Sequence, residues 1–171
     1  MNGYEFYPED GSTLYEEEAW ELSEQARSLW LRLTFAGEYS EDMSPVQIQG
    51  RKYLSMFPAR DGVYTIEQVR EKFLAVFSEE FTDKTLNAAI ASKDLLEYNG
   101  NVYAAYKKNR GETSYNSWAD HVRDDGAGKF TVVMGVSMPP DGSTVYVELP
   151  TEKNVAGKFV FTDYPYWDRS E

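Results

Sequence analysis

Apolar residues recur at three- and four-residue intervals early in the chain, at Ala19, Leu22, Ala26, Leu29 and Leu33. That spacing draws one stripe along an amphipathic helix. Ser12 or Thr13 is placed to cap it, Glu16, Glu17 and Glu18 load its first turn as the macrodipole favours, and Gly37 is placed to end it. Glu17, Glu21 and Glu24 fall on the opposite face, while Trp20 and Trp30 flank the stripe. After a polar loop ending at Pro45, residues 46–48 and 52–56 flank Gln49-Gly50 and predict a short hairpin. Asp61-Gly62 breaks the chain. Thr65, with Gln68 three residues on, forms a capping box for a helix through Val69, Phe73, Val76 and Phe77, and Thr82 is expected to open a second helix through Leu86 and Ile90.

From Leu95 onward the period shortens from about 3.6 to 2. Asn99-Gly100, between Leu96-Glu97-Tyr98 and residues 102–106, has the turn chemistry of a type I′ hairpin. Further strands are expected at 117–123, 130–138, 144–149 and 158–162, separated by Asp124-Asp125-Gly126, by residues 139–142 and by residues 154–157. Consecutive strands joined this tightly run antiparallel, because a parallel crossover needs a dozen or more residues. The predicted fold class is therefore α+β. N-terminal helices pack on a curved, mostly antiparallel β-sheet of about five strands, within one domain over residues 1–171. Its helical part covers about 13–92 and its β-meander about 94–163.

Charge changes this picture by giving it a polarity. The chain carries 17 basic and 29 acidic side chains, for a net charge of −12. Residues 1–45 hold eleven acids and two bases, a net of −9, whereas the rest hold 18 and 15, a net of −3. A pI near 4.6 argues against nucleic acid and anionic lipid as partners, since both require clustered bases. No apolar run approaches the ~20 residues of a membrane-spanning helix, nor the apolar stretch of a signal peptide. The absence of cysteine removes thiol catalysis and cysteine-bound zinc, and suits both the cytoplasm and a bacterial surface that does without disulfides.

Candidate chemistry is sparse. His121 is the single histidine, and strict alternation puts it on the face of Ala119 and Arg123, where a structural role is expected. The serines show no Gly-x-Ser-x-Gly elbow, so an enzyme here would be a carboxylate-based hydrolase, with solvated acidic faces as the simpler account of the carboxylates. Asp120, Asp124 and Asp125-Gly126 lack the spacing of a twelve-residue calcium loop and read as turn chemistry. Gly126-Ala127-Gly128 precedes a strand and so reads as a hairpin loop, without the helical amides that cradle phosphate. No cofactor or metal is expected. Aromatics are abundant, with 13 Tyr, nine Phe and four Trp. The cluster Phe159, Phe161, Tyr164, Tyr166 and Trp167 is expected chiefly to close the core, with partner binding as its other use.

Tyr64-Thr65-Ile66-Glu67-Gln68-Val69 leading to Phe73 and Phe81-Thr82, followed by Leu96-Glu97-Tyr98-Asn99-Gly100-Asn101-Val102-Tyr103, resembles the IseA-like inhibitors of bacterial cell-wall D,L-endopeptidases over about residues 14–163. The resemblance implies a two-lobed α+β protein exported by Gram-positive bacteria. It also implies a non-enzymatic role, occluding a cell-wall peptidase active site at the cell surface or outside the cell. No inhibitory residue is carried over from it. Read from the residues, candidate partner-binding side chains are Glu17, Glu21 and Glu24 on the helix and Tyr98, Tyr103, Trp118, Tyr166 and Trp167 among the aromatics. The alternative is a module for small molecules or peptidoglycan fragments, its aromatic pocket lined by Tyr98, Tyr103 and Trp118.

Overall fold

A computed structural model describes residues 11–34, 44–107, 116–138 and 142–164. The expected helix stop at Gly37, the turn at 139–141, and Tyr166 and Trp167 lie outside the described residues.

Helix α1 (Glu16–Thr34) buries Ala19, Ser23, Ala26, Leu29 and Leu33. Ser23 is the polar member of this stripe, and its hydroxyl donates to the Trp20 carbonyl, so its burial leaves no unmet donor. The helix begins after the expected caps at Ser12 and Thr13. Leu14 is drawn into the core, and the Tyr15 carbonyl accepts the Ala19 amide. Strands β1 (Val46–Ile48) and β2 (Arg51–Ser55) form the predicted hairpin, with Gln49 and Gly50 both at positive φ, 52° and 80°. A 3-10 turn (Ala59–Asp61) leads to helix α2 (Ile66–Leu74), where Thr65 and Gln68 form the expected capping box.

Between α2 and the next helix the local pattern loses. Val76 and Phe77 have helical spacing, but they leave the helix to bond the last strand. Phe77 forms a parallel bridge to Phe161, the Phe161 amide donates to Val76, and the Ser78 amide donates to Phe161. Ser78 then caps α3 (Glu79–Ala91) by accepting from the Phe81 amide. Thr82 therefore sits inside α3, fully buried, and does not open it.

Strands β3 (Leu95–Tyr98) and β4 (Asn101–Ala105) form the Asn99-Gly100 hairpin, with φ of 49° and 76° at its corner. Its β4 strand pairs with β2, so the first sheet has order β1-β2-β4-β3. The second sheet is a plain antiparallel run of β5 (Asn116–Gly126), β6 (Lys129–Met138), β7 (Ser143–Lys153) and β8 (Phe159–Phe161). The α+β class stands, but among the described residues the single meander expected over 94–163 is replaced by two four-stranded sheets, because the early hairpin recruits β3 and β4. The β5–β6 turn also falls later than Asp124-Asp125-Gly126, at Ala127 and Gly128, whose φ values are 56° and 77°.

One apolar core joins these parts. It contains Ala26 and Leu29 of α1, Phe73 of α2, Leu86 of α3, Leu54, Val102 and Ala104 of the first sheet, and Val132, Met134 and Leu149 of the second. Phe77 is its aromatic hub, within 4.9–6.4 Å, centroid to centroid, of Phe73, Phe81, Phe161 and Tyr164. Phe159, Phe161 and Tyr164 thus close the core as expected from the sequence.

Candidate functional site

Glu17, Glu21 and Glu24 are exposed on the side of α1 opposite its buried stripe, with Glu16 and Glu18 beside them. Among the described residues none of these five carboxylates enters an ion pair. Arg32 on the same helix turns inward, donating to the Met56 carbonyl and lying over the Phe57 ring. The acidic row is therefore a fixed feature, since its backbone is anchored to β4 and β5 through the core.

The predicted aromatic residues do not converge. Tyr98 and Tyr103 lie on the first sheet, on the face away from the main core, beside a small cluster of Ile48, Tyr53, Ala105 and Leu96. Tyr98 is 44% exposed at the edge, whereas Tyr103 is half-buried. Trp118 belongs to the second sheet. A shallow cavity of about 240 Å³ lies elsewhere, between the 3-10 turn and α2, lined by Asp61, Val63, Gln68, Glu71 and Lys72.

The outer face of the second sheet gathers side chains that the sequence pattern left scattered. A β-bulge at Asp120 separates Ala119, paired with Met134, from His121, paired with Val133. Two residues oppose one, so alternation shifts by a step. Ala119 and Val122 face the core, while Trp118, His121 and Arg123 share the outer face. This corrects the expected grouping of His121 with Ala119. Across the sheet three rows follow from the register: Trp118, Gly135 and Tyr146; then His121, Val133 and Glu148; then Arg123, Thr131 and Pro150.

Electrostatics bind these rows together. His121 Nδ1 lies 2.7 Å from Asp120 Oδ2, and Trp118 Nε1 lies 3.4 Å from Asp120 Oδ1. These contacts hold the Asp120 carboxyl below its ordinary range, that from His121 contributing most. Arg123 donates to Asp125 at 2.7 Å and also to Glu148. Thr131, then Arg123, lowers the Asp125 carboxyl by hydrogen bonding. Asp124 instead accepts the Gly126 amide and shapes the turn. The three aspartates proposed as turn chemistry thus do different work, and only Asp124 serves the turn.

Tyr146, Glu148 and Arg123 were missed by pattern reading. The available signal was Gly135, an isolated glycine inside a strong strand, which marks a close approach to the backbone. The approaching group is the Trp118 indole. A Cβ on Gly135 would lie 2.8 Å from its Nε1 and closer still to Cε2 and Cζ2.

The chain matches no known family model and none of the curated proteins. Among the described residues no helix is long and apolar enough to cross a membrane.

Proposed function

We propose that this protein is a non-enzymatic binding protein of the bacterial cell surface, similar to the IseA-like inhibitors, and that it acts by covering the active-site cleft of a cell-wall D,L-endopeptidase. The observation that carries this reading is the acidic row Glu17, Glu21 and Glu24, which enters no ion pair among the described residues, on a helix fixed to the core. Carboxylates held in register on a rigid element raise the encounter rate with a basic cleft and need no reorganisation on contact. The sequence resemblance over residues 14–163 supports the partner class.

The test mixes the purified protein with a D,L-endopeptidase and follows peptidoglycan cleavage. Inhibition is expected, weakening steeply as salt is raised. The triple variant Glu17→Gln, Glu21→Gln, Glu24→Gln should slow association by about ten-fold or more at low salt, with a smaller change in dissociation. Full peptidase activity in the presence of excess protein would sink the inhibitor reading. Inhibition indifferent to both salt and the triple variant would remove the acidic row from it.

A further inference from the structure

The rows on the outer face of the second sheet form a surface whose chemistry is distinct from the acidic helix. Trp118 is held flat because Gly135, its cross-strand partner, has no side chain to lift the ring. Covering a glycine accounts for Trp118 as a structural residue. It does not account for Tyr146, which sits on the other side of Gly135 and is 59% exposed, burying little of the protein's own surface. Trp118 and Tyr146 stand two strands apart, about 10 Å, with only the Gly135 backbone between them. Together they make an open aromatic floor.

One step along the strands, about 7 Å away, lie Glu148 and the bulged Asp120, and a further step on lie Arg123 and then Asp125. Asp120, Asp125 and Glu148 supply three carboxylates and Arg123 one guanidinium, which is shared by Asp125 and Glu148. Three carboxylates against one guanidinium give these groups a net of −2. Carboxylates accept hydrogen bonds only, so the complementary ligand brings donors and positive charge. Nucleic acids and uronate polymers bring the opposite.

We propose that this face binds a saccharide containing an unacetylated amino sugar. A pyranose ring offers a C–H face to the aromatic floor, whose π surface is electron-rich. The ring's ammonium substituent then reaches toward the carboxylate row, gaining both a charge-assisted hydrogen bond and the field of the two aromatic faces. The 7 Å step is spanned by one ring substituent and one hydrogen bond. Glu148 and Asp120 are the acceptors, Trp118 and Tyr146 the platform, and Arg123 fixes Glu148 in place. The interaction is independent of any contact made by α1.

The experiment titrates the full chain with the glucosamine trisaccharide, read by calorimetry and by the indole signals in proton–nitrogen NMR spectra. Saturable binding is expected, with the Trp118 indole among the signals that move. Tyr146→Ala and Glu148→Gln should each weaken binding about ten-fold. The first removes an exposed ring and the second keeps the side-chain shape, so both variants should melt like the parent. The N-acetylated trisaccharide and a galacturonate trisaccharide should bind more weakly than the glucosamine form. The proposal is overturned by absence of saturable binding, by equal binding of the acetylated or galacturonate sugar, or by parent-like binding in both variants.

Discussion

Gly135→Ala is the sharpest probe of how the second sheet is built. The new methyl would meet Trp118 Nε1 at 2.8 Å, with two ring carbons nearer, well inside van der Waals contact. Strand β6 is hydrogen-bonded on both sides, to β5 and β7, so its backbone has little room to retreat. The partly exposed indole must yield instead. A tryptophan buries 150–250 Å² when fully covered, so losing about a third of that at ~25 cal/mol per Å² costs about 2 kcal/mol. Replacing glycine inside a strand returns ~0.5–1 kcal/mol of backbone entropy. The net loss is therefore about 1 kcal/mol, or roughly 2–4 °C in Tm for a chain of this size. In a Trp118→Ala background the clash is gone, and the same Gly135→Ala change should stabilise by ~0.5–1 kcal/mol. Thermal and denaturant unfolding followed by far-UV circular dichroism measure all four proteins of this cycle. A Gly135→Ala effect of the same sign and size in both backgrounds would refute the account, because the cost would not then come from the indole.

Thr82 is fully buried in α3 and its hydroxyl has no hydrogen-bond partner among the described residues, so Thr82→Val should raise stability by about 1 kcal/mol in denaturant unfolding; a loss would mean that the hydroxyl is satisfied. Ser78→Ala removes the α3 cap and should cost about 1 kcal/mol by the same measurement, whereas Thr82→Ala, if Thr82 were the cap, would show the cap's signature of lost helix start. Asp94 is raised by burial, but hydrogen bonds from Arg51, Lys107 and Ser92 outweigh this and leave it lowered; hydrogen bonds likewise lower Asp83, Asp120 and Asp125. A carboxylate depressed in the folded state stabilises above its unfolded value, near about 3.9, and that stability drains as pH falls through the folded values. The denaturant midpoint should fall below about pH 4, and Asp94→Asn should flatten part of that fall; an unchanged acid limb in Asp94→Asn would contradict it.

The candidate surfaces differ in how far pattern reading could reach them. Glu17, Glu21 and Glu24 were legible because a helix's polar face follows from spacing within seven residues, and α1 presents them as expected. Trp118 was named, but its neighbours Tyr146 and Glu148 lie about thirty residues away in β7 and meet it only through the register of three strands. His121 was grouped with both Ala119 and Arg123, and only the grouping with Arg123 holds, because a bulge inserts one residue without any local marker in Trp118-Ala119-Asp120-His121. Tyr98 and Tyr103 were grouped with Trp118 as aromatics, yet pairing of β4 with β2 assigns them to another sheet.

By itself the sequence determined the elements whose energies are settled among near neighbours. These include the stripe of α1, the Thr65–Gln68 capping box, and the left-handed corners at Gln49-Gly50 and Asn99-Gly100. Each depends on contacts within about four residues, so the letters carry the answer. Tertiary structure alone decided that Val76 and Phe77 abandon helical spacing to pair with Phe161, that the eight strands among the described residues divide into two sheets, and that the bulge at Asp120 parts His121 from Ala119. Helical preference amounts to a few tenths of a kcal/mol per residue. Backbone hydrogen bonds to a distant strand and burial of the Phe77 ring exceed it, and their partners become known only once the chain has closed on itself.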